Sequence, residues 1–400
     1  MPSGQGIHLP DEIVEFIVGW LYELPRHRTP DSQDHRSPDL KRQIDLWAFC
    51  AVSRQWYRVG LRHLYRCPAL WENNSFALFM RTVKGASPDL GSKVMILNLQ
   101  KLQHQSSPSQ TARLISWTKK GLRSFFAPRV SFATNCLAPL SKCNNITMLD
   151  LSLVGGRSFS FSRLKKAICS LPKISTLRLP ISVPITDPND STGQWPSSLW
   201  NMHIGGLLIP TVMLSFQWPP NISCLTVSGC LDLNPEVLES LLGNTQLRDS
   251  LKSLTLRPDN RYIFDDSSAI LYEMAALYHL EIPVDLMYPL CILPSSFDSL
   301  PIRHLVLSKP YDEEFWKSAS NPDDNSFKNR IAEDIYEALD EGESLSNIWT
   351  LGVDPKYKPW ACEHQQDGIE AAIIHHLDDF LDEELDEMLF EEMGIYWASG

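Results

Sequence analysis

The chain has 400 residues, of which 43% are hydrophobic and 21% charged, so it can bury a large core and is not disordered as a whole. Its net charge of −12 is uneven: residues 361–400 hold 12 acids and no Lys or Arg, whereas residues 1–310 hold 31 bases against 24 acids. The bases are scattered and form no known nucleic-acid-binding motif, which argues against a nucleic-acid partner.

The chain also has no features of a secreted or membrane protein. No signal peptide opens it, and its longest apolar run, 205–216, is too short to span a bilayer. Nine cysteines, an odd number without C-x-x-C pairs, fit reduced thiols better than a disulfide framework. We therefore expect an intracellular protein, cytoplasmic and/or nuclear, without a membrane partner.

Residues 1–67 predict a small all-α module. Pro10 suits the first position of a helix, and Asp11 and Glu12 place negative charge at the positive end of its dipole. Residues 25–43 are rich in proline and charge, which predicts a polar loop insertion. The apolar residues of the first helix follow at helical spacing: Ile13, Phe16, Ile17, Trp20, Leu21 and Leu24.

Two further short helices are predicted after the insertion. The first contains Leu46, Phe49, Cys50 and Val52, and Ser53 is the N-cap of the second. Three short helices cannot bury so many large apolar side chains among themselves. Some should stay exposed unless a partner covers them, because exposed apolar patches usually mark interfaces.

This module resembles the F-box, whose pattern starts with Leu-Pro-x-Glu-Ile and continues through Asp-Leu to Val-Ser-Arg-x-Trp. The chain supplies Leu9, Pro10, Glu12, Ile13, Asp45, Leu46, Val52, Ser53, Arg54 and Trp56. The resemblance covers roughly residues 7–67, with a longer insert than usual. It implies binding to a Skp-type adaptor, and through it a cullin, by Leu9, Pro10, Glu12, Ile13, Val52, Ser53 and Trp56. The alternative is an ordinary helical cap.

An apolar pattern of the form L-x-x-L-x-L recurs through the rest of the chain. It begins at Val94, Leu122, Ile146, Ile174, Leu199, Ile222, Leu251, Leu277, Ile302 and Ile348. Successive starts lie 28, 24, 28, 25, 23, 29, 26 and 25 residues apart, and the last step is 46. These steps resemble leucine-rich repeats and predict an irregular α/β solenoid, a horseshoe with one short strand per repeat.

The clearest repeat contains Leu225, Val227 and Cys230, followed by a helical segment at 235–242. It resembles the cysteine-containing subtype of leucine-rich repeat, in which a buried Cys follows the strand. A doubly wound nucleotide-binding fold is disfavoured, because no Gly-rich phosphate loop follows any strand.

The sequence predicts no catalytic residue, cofactor or metal site. It has no G-x-S-x-G or H-E-x-x-H motif, and no Cys or His set at zinc-ligand spacing. His375 and His376 lie beside acids, but adjacent side chains on a helix diverge by about 100°. A solvated acidic helix is therefore favoured over a metal site.

The predicted domains are a helical connector at 68–93, the repeat array at 94–310, an acidic insertion at 311–347, and a last repeat with an acidic helical cap at 348–400. Within the cap, residues 369–393 form an amphipathic helix. This helix either covers the end of the solenoid, as such arrays require, or is an arm that binds a partner.

Together the two resemblances imply the non-catalytic substrate-recognition subunit of an SCF-type cullin–RING E3 ubiquitin ligase, similar to the F-box proteins of filamentous fungi. The alternative is a leucine-rich repeat scaffold without a ubiquitin role. A protein client is expected on the concave face, where residues between the inward apolar side chains point. These residues are Asp150, Arg178, His203, Arg257, His279, Glu281 and His304, a mostly cationic set that suits an acidic or phosphorylated segment, unless the face is merely solvated.

Overall fold

A computed structural model describes much of the chain, in two compact units. The units are Met1–Phe159 with Ala167–Ile174, and Ser160–Lys166 with Ser175–Gly400. The described residues are 9–23, 38–70, 73–85, 90–102, 107–155, 160–185, 193–262, 271, 273–287, 300–314, 326–340, 345–360, 362–378 and 394–397.

The first unit begins with four helices, α1 (Asp11–Glu23), α2 (Pro38–Ala51), α3 (Arg54–Arg66) and α4 (Asn73–Gly85). Helices α1 to α3 share a core whose buried members are Val14, Val18, Leu46, Phe49, Cys50 and Val59. The three-helix module is therefore present as predicted, and α4 lies in the predicted connector.

The predicted insertion differs in extent. Helix α2 begins at Pro38, so residues 38–43 are helical rather than loop, while residues 24–37 lie outside the described residues. Pro38 and Asp39 suit a helix start, because proline lacks an N–H that would go unpaired there and an acid favours the positive end of the dipole. Val52 was predicted within the helix and instead follows its last residue.

Three repeats complete the first unit. Their strands are β1 (Ile96–Asn98), β2 (Ser124–Phe126) and β3 (Met148–Asp150), joined by α5 (Pro108–Thr118) and α6 (Thr134–Leu140). The strands pair in parallel in chain order, with Leu97, Phe125 and Leu149 at equivalent positions.

The second unit continues the same design. Its strands are β4 (Thr176–Arg178), β5 (Asn201–Ile204), β6 (Cys224–Val227), β7 (Ser253–Leu256), β8 (His279–Pro283), β9 (His304–Ser308), β10 (Thr350–Val353) and β11 (Gly394–Trp397). Each pairs in parallel with the next. The helices are α7 (Phe161–Cys169), which contributes residues to both units, α8 (Pro210–Ser215), α9 (Pro235–Leu242), α10 (Thr245–Ser250), α11 (Ser326–Asp340) and α12 (Glu363–Asp378).

The strands confirm the leucine-rich repeat solenoid. All ten predicted strands are present, and their apolar signature residues are at most 4% exposed. Cys230 is buried after β6 and α9 follows it, as the predicted cysteine-containing repeat requires. Strand β11 was not predicted.

The C-terminal helices agree in part with the prediction. Helix α11 lies in the predicted acidic insertion, and its apolar residues Ile331, Ile335 and Leu339 are buried. Helix α12 covers the start of the predicted 369–393 helix, whose later residues 379–393 lie outside the described residues. No helix among the residues described is both long and apolar enough to cross a membrane.

Two buried asparagines join neighbouring repeats of the second unit. Asn260 Nδ2 donates to the Val227 carbonyl at 2.9 Å, and its Oδ1 accepts from the Cys230 backbone N–H at 3.0 Å. Asn244 Nδ2 donates to three backbone carbonyls, those of Met213, Leu214 and Phe216. These bonds pair the two buried side-chain amides and the Cys230 N–H, which would be costly to leave unpaired in the core.

Candidate adaptor and client surfaces

Helix α1 has apolar side chains on two faces. Val14 and Val18 are fully buried in the module core, whereas Ile13, Phe16 and Trp20 are 47%, 71% and 65% exposed. The exposed three are spaced three and four residues apart, so they form one stripe along the helix. A stripe of large apolar side chains without intramolecular cover is typical of an interface.

Side chains of α3 hold the segment that leads into α1. Gln55 Nε2 donates to the Leu9 carbonyl at 2.6 Å and to Asp11 Oδ1 at 2.7 Å, and Arg58 forms an ion pair with Asp11. The Pro10 carbonyl accepts from the backbone N–H of the first helical turn. The Leu-Pro segment therefore has a defined position on the module.

The predicted adaptor residues divide into two groups. Leu9 and Trp56 are half-buried and pack on the module core, and the Trp56 ring centroid lies 4.5 Å from that of Phe49. Ser53 is exposed, and its Oγ accepts from the Trp56 backbone N–H at 3.2 Å, which confirms it as the N-cap of α3. The other predicted residues are also exposed: Pro10, Glu12, Ile13 and Val52.

Sequence reasoning missed part of this apolar surface. It grouped Phe16 and Trp20 with Ile13, Ile17 and Leu21 on the apolar side of the helix and did not single out Val14 and Val18, the residues of α1 that the structure buries. It also missed Trp47, which is 66% exposed on α2. Trp47 and Ile44 line a groove of about 590 Å³ beside α4, whose lining includes Leu78 and Phe79.

The predicted client residues lie where the strands place them, with one exception. Arg178 and Arg257 are exposed, and the side chains of His203, His279, Glu281 and His304 are partly exposed. Asp150 is 1% exposed, and its Oδ1 accepts from the backbone N–H and hydroxyl of Ser152. This carboxylate is used for hydrogen bonds within its own turn, so it is not available to a client.

The histidines on β8 and β9 are neighbours in the strand register and bond to hydroxyl groups on their outer sides. His279 Nδ1 lies 3.0 Å from Ser253 Oγ, and His304 Nδ1 lies 2.8 Å from Thr350 Oγ1. Burial lowers the pKa of both imidazoles, and His279 lowers the pKa of His304 further. Both therefore favour the neutral form, so this face carries less positive charge than the sequence suggested.

Arg257 is also partly neutralised. Its Nη1 lies 3.0 Å from Glu281 Oε1, and Thr255 Oγ1 donates to Glu281 Oε2 at 3.3 Å. The carboxylate is thus held from two sides across neighbouring strands. A client with its own carboxylate or phosphate would have to compete with Glu281 for this guanidinium.

An aromatic cluster just before β8, β9 and β10 was not predicted. The Arg303 guanidinium carbon lies 4.3 Å from the centroid of the Trp349 ring, and Tyr278 is 44% exposed beside His304. Exposed Tyr, Trp and Arg are the side chains that most often dominate binding energy. Each lies directly before an observed strand, at a variable position that follows the first apolar residue of the L-x-x-L-x-L pattern.

The sequence of this chain is similar to that of a known protein. It is 28% identical over 246 residues to the F-box protein YDR306C of Saccharomyces cerevisiae, an alignment that covers 62% of this chain and 50% of that protein. The resemblance to F-box proteins is confirmed. The chain spans about half the length of this curated relative, and no family model matches it.

Solved structures give only a weak likeness. The leucine-rich repeat-containing protein LegL7 from Legionella pneumophila is 14% identical with a TM-score of 0.43, over 70% of this chain and 87% of that chain. The Rad7 and Elc1 complex of yeast is 14% identical with a TM-score of 0.33, over 86% and 88%. The repeat fold rests on the strand pairing and buried signature residues of this chain, not on these likenesses.

Proposed function

We propose that this chain is the non-catalytic substrate-recognition subunit of an SCF-type cullin–RING E3 ubiquitin ligase and works inside the cell. The exposed apolar stripe of Ile13, Phe16 and Trp20 carries the proposal, because it lies on a helical module that matches the F-box pattern. Burial of this stripe against a partner is favourable, because it removes from water apolar surface that the isolated module leaves exposed.

The partner in this proposal is a Skp-type adaptor, which connects the chain to a cullin. Pro10, Ile13 and Val52 are exposed and available for direct contact. Leu9 and Trp56 pack on the core beneath and hold that surface in shape. Glu12 adds a negative charge at the same end of α1.

A double substitution, Leu9→Ala with Pro10→Ala, tests adaptor binding. It should abolish co-purification of a Skp-type adaptor with the full chain, while far-UV circular dichroism stays that of the folded repeats. A matched control is Val130→Ala with Leu153→Ala, which also removes exposed apolar side chains in the first unit and should leave adaptor binding intact. Unchanged adaptor recovery in the Leu9 and Pro10 variant would contradict the proposal.

The repeats in this proposal hold a protein client near the ubiquitin-loaded E2 enzyme. The mechanism is proximity: a tethered client meets the E2 at a raised effective concentration, and no residue of this chain takes part in bond making. The client surface combines Arg178 and His203 with Arg257 and Glu281, and extends to the aromatic cluster of Tyr278, Arg303 and Trp349.

Charge reversal tests the client surface. Clients are first identified as proteins whose half-lives lengthen when the gene for this chain is deleted. Arg178→Glu with Arg257→Glu should lengthen the same half-lives while adaptor binding persists. The control is Arg248→Glu with Arg261→Glu, which reverses two exposed charges outside the strands and should restore normal turnover.

The competing function is a repeat scaffold without a ubiquitin role. It predicts that the wild-type chain recovers no adaptor and that no protein half-life lengthens when the gene for this chain is deleted. The same two experiments therefore separate the two functions.

A further inference from the structure

A basic pocket lies in the first unit, apart from the adaptor stripe. It has a volume of about 350 Å³ and lies among the turns that lead into successive strands. Its lining comes from the turns before β1, β2 and β3 and from the segment after α7. The polar lining residues are Ser92, Lys120, Arg123, Asn145, Thr147 and Lys173.

All of the charged residues that line this pocket are cations. Lys120, Arg123 and Lys173 are exposed cations, and none of the residues that line the pocket is acidic. Within the described part of the chain, no ion pair engages any of the three. Three unneutralised cations around one concavity repel one another, so a bound anion would relieve an unfavourable interaction.

The turns that carry these cations are linked to one another by hydrogen bonds. Lys173 Nζ donates to Asn145 Oδ1 at 3.0 Å, and Asn145 Nδ2 donates to the Lys120 carbonyl at 2.9 Å. One asparagine side chain thus ties together the turns that carry two of the three cations. Because these contacts fix the turns relative to one another, less ordering is needed when a ligand binds.

The floor of the pocket is also closely packed. A Cβ atom at Gly121 would lie 1.9 Å from the Ser92 carbonyl oxygen, so only glycine permits these two turns to approach. The Arg123 backbone N–H donates to the Met95 carbonyl at 2.8 Å, and the Thr147 N–H donates to the Arg123 carbonyl at 2.8 Å. The backbone beneath Arg123 is therefore fixed on both sides.

We propose that this pocket binds a phosphate ester. A guanidinium binds two phosphate oxygens at once in a planar fork, and ammonium groups and a hydroxyl satisfy the remaining oxygens. Arg123 supplies the fork, and Lys120 and Lys173 supply the ammonium groups. The Thr147 hydroxyl donates to the Arg123 carbonyl at 3.3 Å and would exchange that bond for one to the phosphate. The volume exceeds that of one phosphate group and leaves space for the group that carries it. The phosphate comes either from a phosphorylated side chain or from a small soluble phosphate compound.

Isothermal titration calorimetry on the whole chain tests this site with four ligands. These are inorganic pyrophosphate, a pentapeptide with a central phosphoserine, the same peptide without the phosphate, and a short single-stranded RNA. At low ionic strength the wild-type chain should bind at least one phosphate probe and not the plain peptide, and added salt should weaken binding. The variant Lys120→Gln with Arg123→Gln should weaken binding about tenfold or more.

The matched control is Arg129→Gln with Lys142→Gln, which removes two exposed charges of the same unit outside the pocket. It should bind within about twofold of wild type, because neither residue lines the pocket. Preference for the phosphopeptide assigns the site to a phosphorylated protein, and preference for pyrophosphate assigns it to a soluble compound.

Three results would overturn the proposal. These are no binding of either phosphate probe, equal weakening in both double variants, or tighter binding of a single-stranded RNA than of both phosphate probes. The assay contains no adaptor, so its outcome is separate from that of the ubiquitin-ligase proposal.

Discussion

The side-chain amide of Gln55 donates to the backbone carbonyl of Leu9 at 2.6 Å, across 46 positions of sequence. The same Nε2 donates to Asp11 Oδ1 at 2.7 Å. One side chain on α3 thereby fixes both Leu9, in the segment that leads into the first helix, and Asp11, the first residue within that helix. The geometry of the predicted adaptor surface depends on this contact.

Replacement of Gln55 should therefore weaken adaptor binding. Gln55→Ala removes both hydrogen bonds, and we expect a loss of about 1–2 kcal/mol in unfolding free energy and weaker adaptor binding. Gln55→Glu should be worse than Gln55→Ala, because its carboxylate cannot donate to Leu9 and faces Asp11. Adaptor affinity is measured by surface plasmon resonance. Equal affinity for wild type and both variants would rule out this role.

Trp56 and Val52 should separate structural support from direct contact. Trp56 packs on Phe49, so Trp56→Ala should lower the unfolding free energy of the chain by about 2–4 kcal/mol. Val52 is 61% exposed, so Val52→Asp should leave stability nearly unchanged while it weakens adaptor binding. Urea denaturation and adaptor pull-down are run on both. If only the Val52 variant lost stability, Val52 rather than Trp56 would be the residue that supports the fold.

Asn260 should be among the most sensitive polar residues of the repeats. It is 4% exposed and donates to the carbonyls of Val227 and Arg257 and to the Tyr262 hydroxyl. Asn260→Ala leaves buried groups unpaired, and we expect a loss of about 2–4 kcal/mol in urea denaturation. Asn221→Ala is the control, because Asn221 is exposed and makes one such bond, to the Ser197 carbonyl. Similar losses in both variants would contradict this account.

Asp285 should make stability depend on pH. Burial raises its pKa to about 6, although the backbone N–H groups of Tyr311 and Asp312 donate to its carboxylate and oppose the rise. An unfolded Asp has a pKa of about 3.9, so between about pH 4 and pH 6 the unfolded chain loses this proton first. The stabilisation from this carboxyl group is complete below the pKa of the unfolded state and is lost as pH rises through the pKa of the folded state.

The variant Asp285→Asn isolates this effect. Its stability relative to wild type should rise with pH across the same window, by at most about 2–3 kcal/mol, and stay level above about pH 7. Urea denaturation at several pH values gives the difference curve, in which other titrating groups cancel. A flat difference curve would show that the carboxyl group titrates alike in both states.

The sequence predicted the repeats well because their signature is local. An apolar triplet at fixed spacing identifies a strand whose alternate side chains are buried, and every predicted triplet is buried. Strand β11 escaped because Gly394-Ile395-Tyr396-Trp397 carries a single aliphatic residue and follows a segment dominated by acids. Its pairing with β10 depends on register, with Ile395 opposite Leu351, which composition alone does not encode.

The candidate surfaces were predicted less completely, since exposure and pairing are tertiary properties. The sequence cannot show that Arg257 is paired with Glu281 on the next strand, or that Asp150 turns back to Ser152. It also cannot show that Phe16 and Val14, two residues apart on one helix, are respectively exposed and buried. Such distinctions depend on which neighbouring helix covers each face.

The strand register has a consequence for how recognition can change. In each unit a strand bonds only to the strand before it and the strand after it, as His279 does to Ser253 and His304. The inward signature residues keep this ladder together, while the outward residues contribute little to it. A substitution at an outward position therefore changes contacts with the two neighbouring repeats at most. In the proposed role, the surface that holds a client can therefore change one side chain at a time while each intermediate remains folded.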